Sequence, residues 1–424
     1  MFKISEYKYY PWVVVGLLWV VALVNYLDRQ MLSTMQYSIG LTIPAIQDPA
    51  NFGRLMAIFL WIYGCVSPVS GAIADKLNRK WLIVGSLGVW SAVTSFMSLC
   101  TSFSGIYVLR GVMGISEALY LPAALSLIAD YFTNHGRSLA IGIHMTGLYM
   151  GQALGGFGAT VAAAFSWQDT FKWFGIGGVI YAAILVLLLR DKRPDNILDA
   201  QELAGAEAQP EITEKKEGNL SVLKGFAMIF SNVAFWVILF FFASSSLPGW
   251  STKNWLPTLF ADNLGLTPAV AGPASTISIA AASFIGVLLG GPISDRWVKI
   301  TKKGRIYTSA IGLIMMIPSL ILIGLSHNAI TTIFVCLFFG IGYGMFDANN
   351  MPILCQFIPT RLRASAYGVL NMTGVFAGAL VTQVLGEWAQ KGDLGLGFAY
   401  MAIIIAVAVI LQLVVLKPKT DNME

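Results

Sequence analysis

Residues 114–122 read Gly-Ile-Ser-Glu-Ala-Leu-Tyr-Leu-Pro, and residues 344–352 read Gly-Met-Phe-Asp-Ala-Asn-Asn-Met-Pro. A glycine, an acid, an alanine and a proline recur at the same spacing, each time inside a long apolar stretch. Two such segments, so far apart in the chain, indicate that the second half of the sequence repeats the first.

Two further pairs of segments recur in the same order. Residues 71–76 and 291–296 both follow the pattern Gly-x-x-x-Asp and then a basic residue, and residues 144–151 and 371–378 share a Met-Thr-Gly core and a final glycine. Three matched pairs in one order predict a duplicated architecture. Two parallel repeats that face each other around a central site are typical of transporter folds.

The composition is that of a membrane protein. The chain of 424 residues is 56% hydrophobic and 12% charged, with a mean hydropathy of +0.70, whereas soluble proteins carry about 25% charged residues. Apolar runs of about 20 residues, the length that crosses a hydrocarbon core, recur along the chain. We therefore predict an all-α membrane protein with 12 transmembrane helices in two pseudo-symmetric six-helix bundles.

A polar stretch rich in Asp, Glu, Lys and Gln separates the sixth apolar run from the seventh. We therefore predict an N-terminal bundle at 1–189, a cytoplasmic linker at 190–224 and a C-terminal bundle at 225–424. The predicted spans are 12–35, 53–74, 81–101, 105–132, 138–164, 170–189, 227–259, 269–293, 305–325, 329–357, 364–386 and 398–416.

The basic residues set the orientation. Most of the 27 lysines and arginines fall at the termini and in the loops on the same side, so the positive-inside rule places both termini in the cytoplasm. This bias explains the net charge of +5 without a nucleic-acid partner. No small-residue cleavage site follows the first apolar run, so we expect that run to remain as a span. The short loops favour a bacterial inner membrane.

The sequence indicates no cofactor and no enzymatic chemistry. The four cysteines form no CxxC pair and the three histidines are scattered, so the spacing of a metal site, a haem site or a nucleophilic triad is missing. We interpret the cysteines as packing residues, and we expect no cofactor, no metal and no enzymatic activity.

Asp28 and Arg29 lie inside the first predicted span, and Arg110 and Glu117 lie inside the fourth. Each costs about 2.5–3.5 kcal/mol to insert into a bilayer, so a protein keeps such residues where they pair, face water or move an ion. We hypothesise that Asp28 or Glu117 pairs with Arg110 and that Arg29 faces a central cavity. The alternative is a static buried network that only orients the two spans.

This set of residues suits the coupling of protons to an anion. Protonation of a buried carboxyl frees an arginine, which can then bind a substrate carboxylate with two hydrogen bonds. We therefore assign Asp28, Glu117 and Arg110 to proton coupling, with Na⁺ as the alternative ion, and Arg29 to substrate binding. The predicted partners are a small organic anion, H⁺ and the lipid bilayer.

Further polar residues lie in the predicted spans. His144 and Asn371 occupy equivalent positions of the repeat, and Gln152 lies in the same span as His144. Polar groups in a bilayer are costly unless they face a cavity or another helix, so we interpret all three as substrate ligands, with plain interhelical contacts as the alternative. Asp347 is the repeat mate of Glu117. Its role stays open, between pairing with a neighbouring asparagine and facing the inner vestibule.

The whole chain resembles the major facilitator superfamily. Residues 71–80 match its loop signature between spans two and three, except that Asn78 replaces a glycine. Residues 147–156 resemble its antiporter-associated motif, except that Gln152 replaces a proline, so antiport is not implied. The resemblance implies that four cytoplasmic residues latch the two halves in the outward-open state: Asp75, Arg79, Asp295 and Arg296.

Within the superfamily, residues 25–29 together with Arg110 and Glu117 resemble the anion:cation symporter family, whose members carry sugar acids such as galactonate and hexuronates. Tyr63 resembles a substrate-facing tyrosine of that family. The resemblance implies a monomeric, proton-coupled symporter of a sugar acid. Residues 110–118 also resemble spinster-type transporters, so a lysolipid or sphingoid carrier is the alternative, and a non-transporting membrane sensor is a more distant one.

Overall fold

A computed structural model of the protein describes residues 9–132, 136–192, 222–359 and 362–418, with the backbone alone at 72, 75, 76, 138, 222–225 and 364. The described residues are almost entirely helical and contain no strand. The N-terminal half contains α1 Tyr10–Thr34, α2 Gln36–Gly40, a 3₁₀ turn Pro44–Ile46, α3 Pro49–Lys76, α4 Arg79–Met97, α5 Phe103–Ala118, α6 Tyr120–Tyr131, α7 Arg137–Gly155, α8 Gly158–Ala164 and α9 Trp167–Leu188. The C-terminal half contains α10 Val222–Phe230, α11 Val233–Leu264, α12 Pro268–Val298, α13 Gly304–Leu325, α14 Ala329–Asp347, α15 Asn350–Phe357, α16 Arg363–Gln390 and α17 Leu394–Val415.

Within the described chain, 11 helical segments are long and apolar enough to cross a membrane. Two of these segments join a pair of helices, α5 with α6 and α14 with α15. The remaining predicted span, 138–164, corresponds to α7 and α8, and α7 packs along α1. The predicted helical membrane architecture is therefore confirmed. Most of the predicted linker lies outside the described residues, so the bundle boundaries stay a prediction.

Polar side chains fix where spanning helices begin. A side-chain oxygen of Asp48 accepts a hydrogen bond of 2.9 Å from the Ala50 N–H, and that of Asn78 accepts one of 3.2 Å from the Trp81 N–H. Such caps satisfy backbone donors that the first helical turn leaves free. Asn78 is the residue that replaces the signature glycine, and in this structure it caps α4.

The repeated segments break a spanning helix at the same place in each half. Helix α5 ends one residue after Glu117, and α14 ends at Asp347. Pro122 and Pro352 lie in the first turn of the helices that follow, where a missing N–H is tolerated. Each proline also lacks the N–H that a continuous helix would donate to the carbonyl four residues earlier, at Ala118 and Ala348. Each half therefore presents an acid at a break inside its fourth span.

The two halves meet at one end of the molecule. We call the end where α1 begins and α17 ends the terminal side, and the opposite end the far side. On the far side the Thr160 hydroxyl donates a hydrogen bond of 2.6 Å to the Ala269 carbonyl, and the Thr276 hydroxyl donates one of 3.1 Å to the Ala153 carbonyl. Both bonds join the N-terminal half to the C-terminal half.

Helices α3 and α16 also cross on the far side, and they touch through glycines. A methyl group added to Gly386 would lie 2.7 Å from the carbonyl oxygen of Pro49 and 3.1 Å from the Cα atom of Gly53. Only a residue without a side chain permits so close an approach of two backbones. The far side is therefore closed by direct contact between the halves.

Candidate functional site

A buried ion pair joins the first and fourth spans. Arg29 of α1 donates through Nε to the carboxylate of Glu117 on α5, and the side chain of Arg29 is only 11% exposed. The guanidinium carbon also lies 4.8 Å from the ring centres of both Phe59 and Tyr63, and 5.0 Å from that of Tyr26. The cation is thus held by one carboxylate and three aromatic rings.

The predicted ion pair of Arg110 with Asp28 or Glu117 was wrong. Glu117 pairs with Arg29 instead, and among the described residues Arg110 makes no ion pair. Its guanidinium donates a hydrogen bond of 3.0 Å to the Met113 sulfur and lies 4.5 Å from the ring centre of Phe59. The seven-residue spacing leaves about 10 Å along the helix axis between Arg110 and Glu117, whereas Arg29 reaches Glu117 from a neighbouring helix.

Asp28 of α1 is buried against α4. Its side chain is 3% exposed, and the Thr94 hydroxyl donates a hydrogen bond of 3.4 Å to Oδ2. Its other oxygen has no protein partner among the described residues. Arg110 and Glu117 both act on Asp28 electrostatically. All four charged residues named from the sequence therefore belong to one buried cluster.

A cavity of about 370 Å³ lies between the two halves beside this cluster. Its lining includes the exposed side chains of Met145, Met351 and Tyr367, which lie toward the terminal side. The cavity is therefore open toward the terminal side and closed on the far side. The polar side chains on its wall include Tyr26, Tyr149, Gln152, Lys253, Asp347 and Asn371.

Of the five predicted substrate ligands, the structure places Gln152 and Asn371 on the cavity wall. Arg29 and Tyr63 are outside the lining and pack against each other behind Tyr26. His144 is fully buried inside the N-terminal half, with its ring 6.0 Å from that of Tyr120. The repeat symmetry that linked His144 to Asn371 therefore does not give them equivalent surroundings.

The sequence prediction missed Lys253. It lies near the end of the predicted seventh span, 227–259, so its charge is expected at the membrane surface opposite the termini. In the structure α11 continues to Leu264, and the Lys253 side chain lines the cavity. Its ammonium lies 4.9 Å from the ring centre of Trp250 and 5.9 Å from that of Tyr26. The rule that singled out Asp28, a charge within an apolar run, applies equally to Lys253.

Asp347 lies on the wall of the same cavity. The Asn350 amide donates a hydrogen bond of 3.3 Å to Asp347 Oδ1, and the Tyr149 hydroxyl interacts with the same carboxyl group. The structure thus has both arrangements that the sequence left open, because the carboxyl group accepts from a neighbouring asparagine and also faces the cavity. The cavity position connects Asp347 with Lys253, which acts on it electrostatically.

The predicted latch residues lie at the terminal side, where the halves are apart. Arg79 forms an ion pair with Asp130, and Arg305 forms one of 3.4 Å with Asp295. Both pairs stay within one half. Arg296 is exposed, and the side chain of Asp75 lies outside the described residues. A latch between the halves in another conformation stays a prediction.

Comparison with known proteins identifies the family. The model of the Major Facilitator Superfamily matches residues 18–382. The chain is 26% identical to the D-galactonate transporter of Escherichia coli O6:H1, covering 93% of this chain and 92% of that protein. It is 24% identical to the hexuronate transporter of Bacillus subtilis (strain 168), covering 87% and 90%.

A solved structure has the same fold. The crystal structure of a bacterial homolog to the human lysosomal transporter spinster, in an inward-facing and unoccupied conformation, superposes with a TM-score of 0.79 at 19% identity, over 96% of this chain and 97% of that one. The duplicated helical halves, the central cavity and the match over most of the length lead to one conclusion. The chain is a multi-pass membrane transporter that belongs to the Major Facilitator Superfamily.

Proposed function

We propose that the protein carries a small organic anion, a sugar acid, together with protons. The observation that carries the proposal is the buried Arg29–Glu117 ion pair beside a cavity whose wall includes Lys253, Gln152 and Asn371. Cations and amides are the groups that recognise a polyhydroxylated carboxylate. Relatives named as D-galactonate and hexuronate transporters support the choice of sugar acids.

The ion pair supplies the proposed coupling. Glu117 neutralises Arg29 only while the carboxyl is ionised. A proton on Glu117 would leave an uncompensated guanidinium in the interior, which costs several kcal/mol. A substrate carboxylate would remove that cost by taking over the hydrogen bonds of the guanidinium. Proton and anion then bind more favourably together than separately, which is the thermodynamic requirement for symport.

Tyr26 stands between the ion pair and the cavity. It lines the cavity, and its ring centre is 5.0 Å from the guanidinium carbon of Arg29. We propose that this side chain moves aside when substrate enters, so that Arg29 meets the anion. In this scheme Tyr63 supports Arg29 by stacking and is not itself a ligand.

Asp28 and Arg110 form the second part of the proposed coupling site. Both are buried, and both act electrostatically on the other members of the cluster. Two carboxylates in one low-dielectric region repel each other, so we propose that Asp28 and Glu117 share the coupled proton. The positive charge of Arg110 stabilises whichever of the two carboxylates stays ionised.

The orientation follows from the basic loops. With both termini in the cytoplasm, the terminal side faces the cytoplasm and the cavity is open inward. The sugar-acid relatives named above are bacterial, which supports the inner membrane of a bacterium as the location.

Transport into proteoliposomes tests this proposal. Labelled D-galactonate and D-glucuronate should accumulate when the lumen is alkaline, and a protonophore should abolish the accumulation. A Na⁺ gradient alone should have no effect. Lysophospholipid is the competitor that separates the spinster-like alternative. Competition by lysophospholipid, with no competition by sugar acids, would overturn the proposal in favour of a lipid carrier.

A further inference from the structure

A second cation and a second acid, Lys253 and Asp347, line the cavity beside the buried Arg29–Glu117 ion pair. Arg29 and Glu117 lie on the first and fourth spans of the N-terminal half. Lys253 and Asp347 lie on the first and fourth spans of the C-terminal half. Each acid stands at the break that the repeated segment makes in its span. In each half the first span thus carries a cation and the fourth span an acid, and the N-terminal half has Asp28 and Arg110 in addition.

The Arg29–Glu117 pair and the Lys253–Asp347 pair differ in whether the two side chains touch. Arg29 is bonded to Glu117, whereas Lys253 and Asp347 make no ion pair with each other, although both line the cavity of about 370 Å³ and each acts on the other electrostatically. The space between the two side chains is therefore part of the cavity. A ligand that enters there meets an ammonium on one side and a carboxyl on the other.

We propose that the substrate carries a second acidic group, which binds at Lys253 while its first carboxylate binds at Arg29, and that Asp347 takes up a proton as it does so, so that the C-terminal half adds a second coupled proton. This inference rests on the proposed function. The Asp347 side chain is exposed to the water of the cavity, and a substrate that fills the cavity displaces this water, so an anion at Lys253 would otherwise place two negative charges beside one positive charge. That arrangement is costly, and a proton on Asp347 removes the excess charge.

The surroundings of Asp347 leave no other group to balance the charge. The titratable side chains that interact with it electrostatically are Tyr26 on α1, Tyr149 on α7 and Tyr367 on α16, together with Tyr343 on its own helix α14. All four are neutral hydroxyls. Among the described residues Lys253 is the one cation that acts on Asp347.

Substrate affinity tests the first part. In the purified protein, Lys253→Gln should weaken the binding of the sugar acid about tenfold or more, because it removes a charge that the anion would contact in a desolvated site. Lys253→Arg should restore most of the affinity. Lys172→Gln, at an exposed lysine of α9, is the matched control and should leave affinity unchanged.

Proton stoichiometry tests the second part. The ratio of protons to substrate, measured from the reversal potential in proteoliposomes, should fall by one in Asp347→Asn and be restored in Asp347→Glu. Asparagine has the shape of aspartate, so the contact with Asn350 can persist and substrate uptake can be measured. Asp262→Asn, at an exposed acid of the far side, should not change the ratio.

The outcomes separate this inference from the proposed function. If the unmodified protein couples protons to a sugar acid, but Lys253→Gln binds it normally or Asp347→Asn keeps the full ratio, the inference is overturned and the proposed function stands. If the unmodified protein moves no organic anion with protons, both are overturned.

Discussion

The side-chain amide of Gln30 donates a hydrogen bond of 2.6 Å to the carbonyl oxygen of Lys253. In a regular helix that carbonyl would accept from the residue four positions on, but that residue is Pro257, which has no N–H. The proline therefore leaves an acceptor free in α11, and a donor from the other half uses it. Gln30 follows Arg29 in α1, so the contact joins the helices that carry Arg29 and Lys253.

Gln30→Leu should weaken closure of the far side. Loss of one such hydrogen bond removes about 0.5–1.5 kcal/mol from the far-closed state, which raises the far-open population several-fold. The reporter is a cysteine in place of Ala261, a half-buried residue of α11 on the far side. With the native cysteines replaced, the rate at which a membrane-impermeant thiol reagent modifies it measures this population. Gln47→Leu is the control, because Gln47 bonds to Gly40 within one half. Equal rates in both variants would contradict the role of Gln30.

Pro257→Ala should make closure of the far side less dependent on Gln30. Alanine supplies an N–H that can bond to the Lys253 carbonyl within α11, so that acceptor no longer needs the other half. In the same labelling assay, Gln30→Leu should have a smaller effect in the Pro257→Ala background than alone. Additive effects of the two changes would show that the freed carbonyl does not matter.

Glu117→Gln should abolish accumulation of substrate against a gradient while exchange of labelled for unlabelled substrate continues. Glutamine cannot carry the proton, yet it leaves Arg29 free to bind an anion. The two measurements are uptake driven by a pH gradient and counterflow at equal pH. Glu387→Gln, at an exposed acid of α16, is the control. If Glu117→Gln still accumulates substrate, the coupling scheme is wrong.

Arg29→Lys should reduce uptake strongly although the charge is kept. A lysine lacks the planar fork of guanidinium, which here contacts one carboxylate and stacks on three rings. The apparent affinity for the sugar acid should fall about tenfold, as measured by initial uptake rates. Arg54→Lys, at an exposed arginine of the far side, should behave like the unmodified protein. A normal affinity in Arg29→Lys would show that Arg29 has only a structural role.

Gly386→Ala should prevent full closure of the far side. The added methyl would meet the Pro49 carbonyl at 2.7 Å, so the halves must separate, at a cost of about 1–3 kcal/mol. Transport should slow, and the cysteine at position 261 should be labelled faster. Gly368→Ala lies on the same helix where a methyl meets nothing within 4 Å, and it should change neither property. Equal transport by the two variants would contradict the glycine contact.

The architecture could be predicted from the sequence because hydropathy and repeats are properties of whole segments. Apolar length predicted the spans, and the matched segments predicted two related halves. The breaks after Glu117 and Asp347 follow from local proline chemistry. These features do not depend on how helices are rotated against one another, so a single chain was enough to infer them.

The partners inside the site could not be inferred in the same way. Choosing between Arg29 and Arg110 as the partner of Glu117 requires the depth of α1 relative to α5, which is set by tertiary packing. Lys253 was missed because its place in the membrane depends on where α11 ends, and that helix runs 32 residues through Pro248 and Pro257. Helix rotation likewise separated His144 from the cavity.

The helix breaks have a consequence for how chemistry and motion are linked. Both Glu117 and Asp347 stand at the carboxyl end of a helix, the negative pole of its dipole, where an ionised acid is opposed by the backbone itself. Each must be compensated by a cation from another helix, and those cations are on α1 and α11. These same two helices hold the far side together through Gln30. We therefore expect a change of charge at either break to alter the force on α1 or α11, and with it the Gln30 hydrogen bond, which is one of the contacts that close the far side.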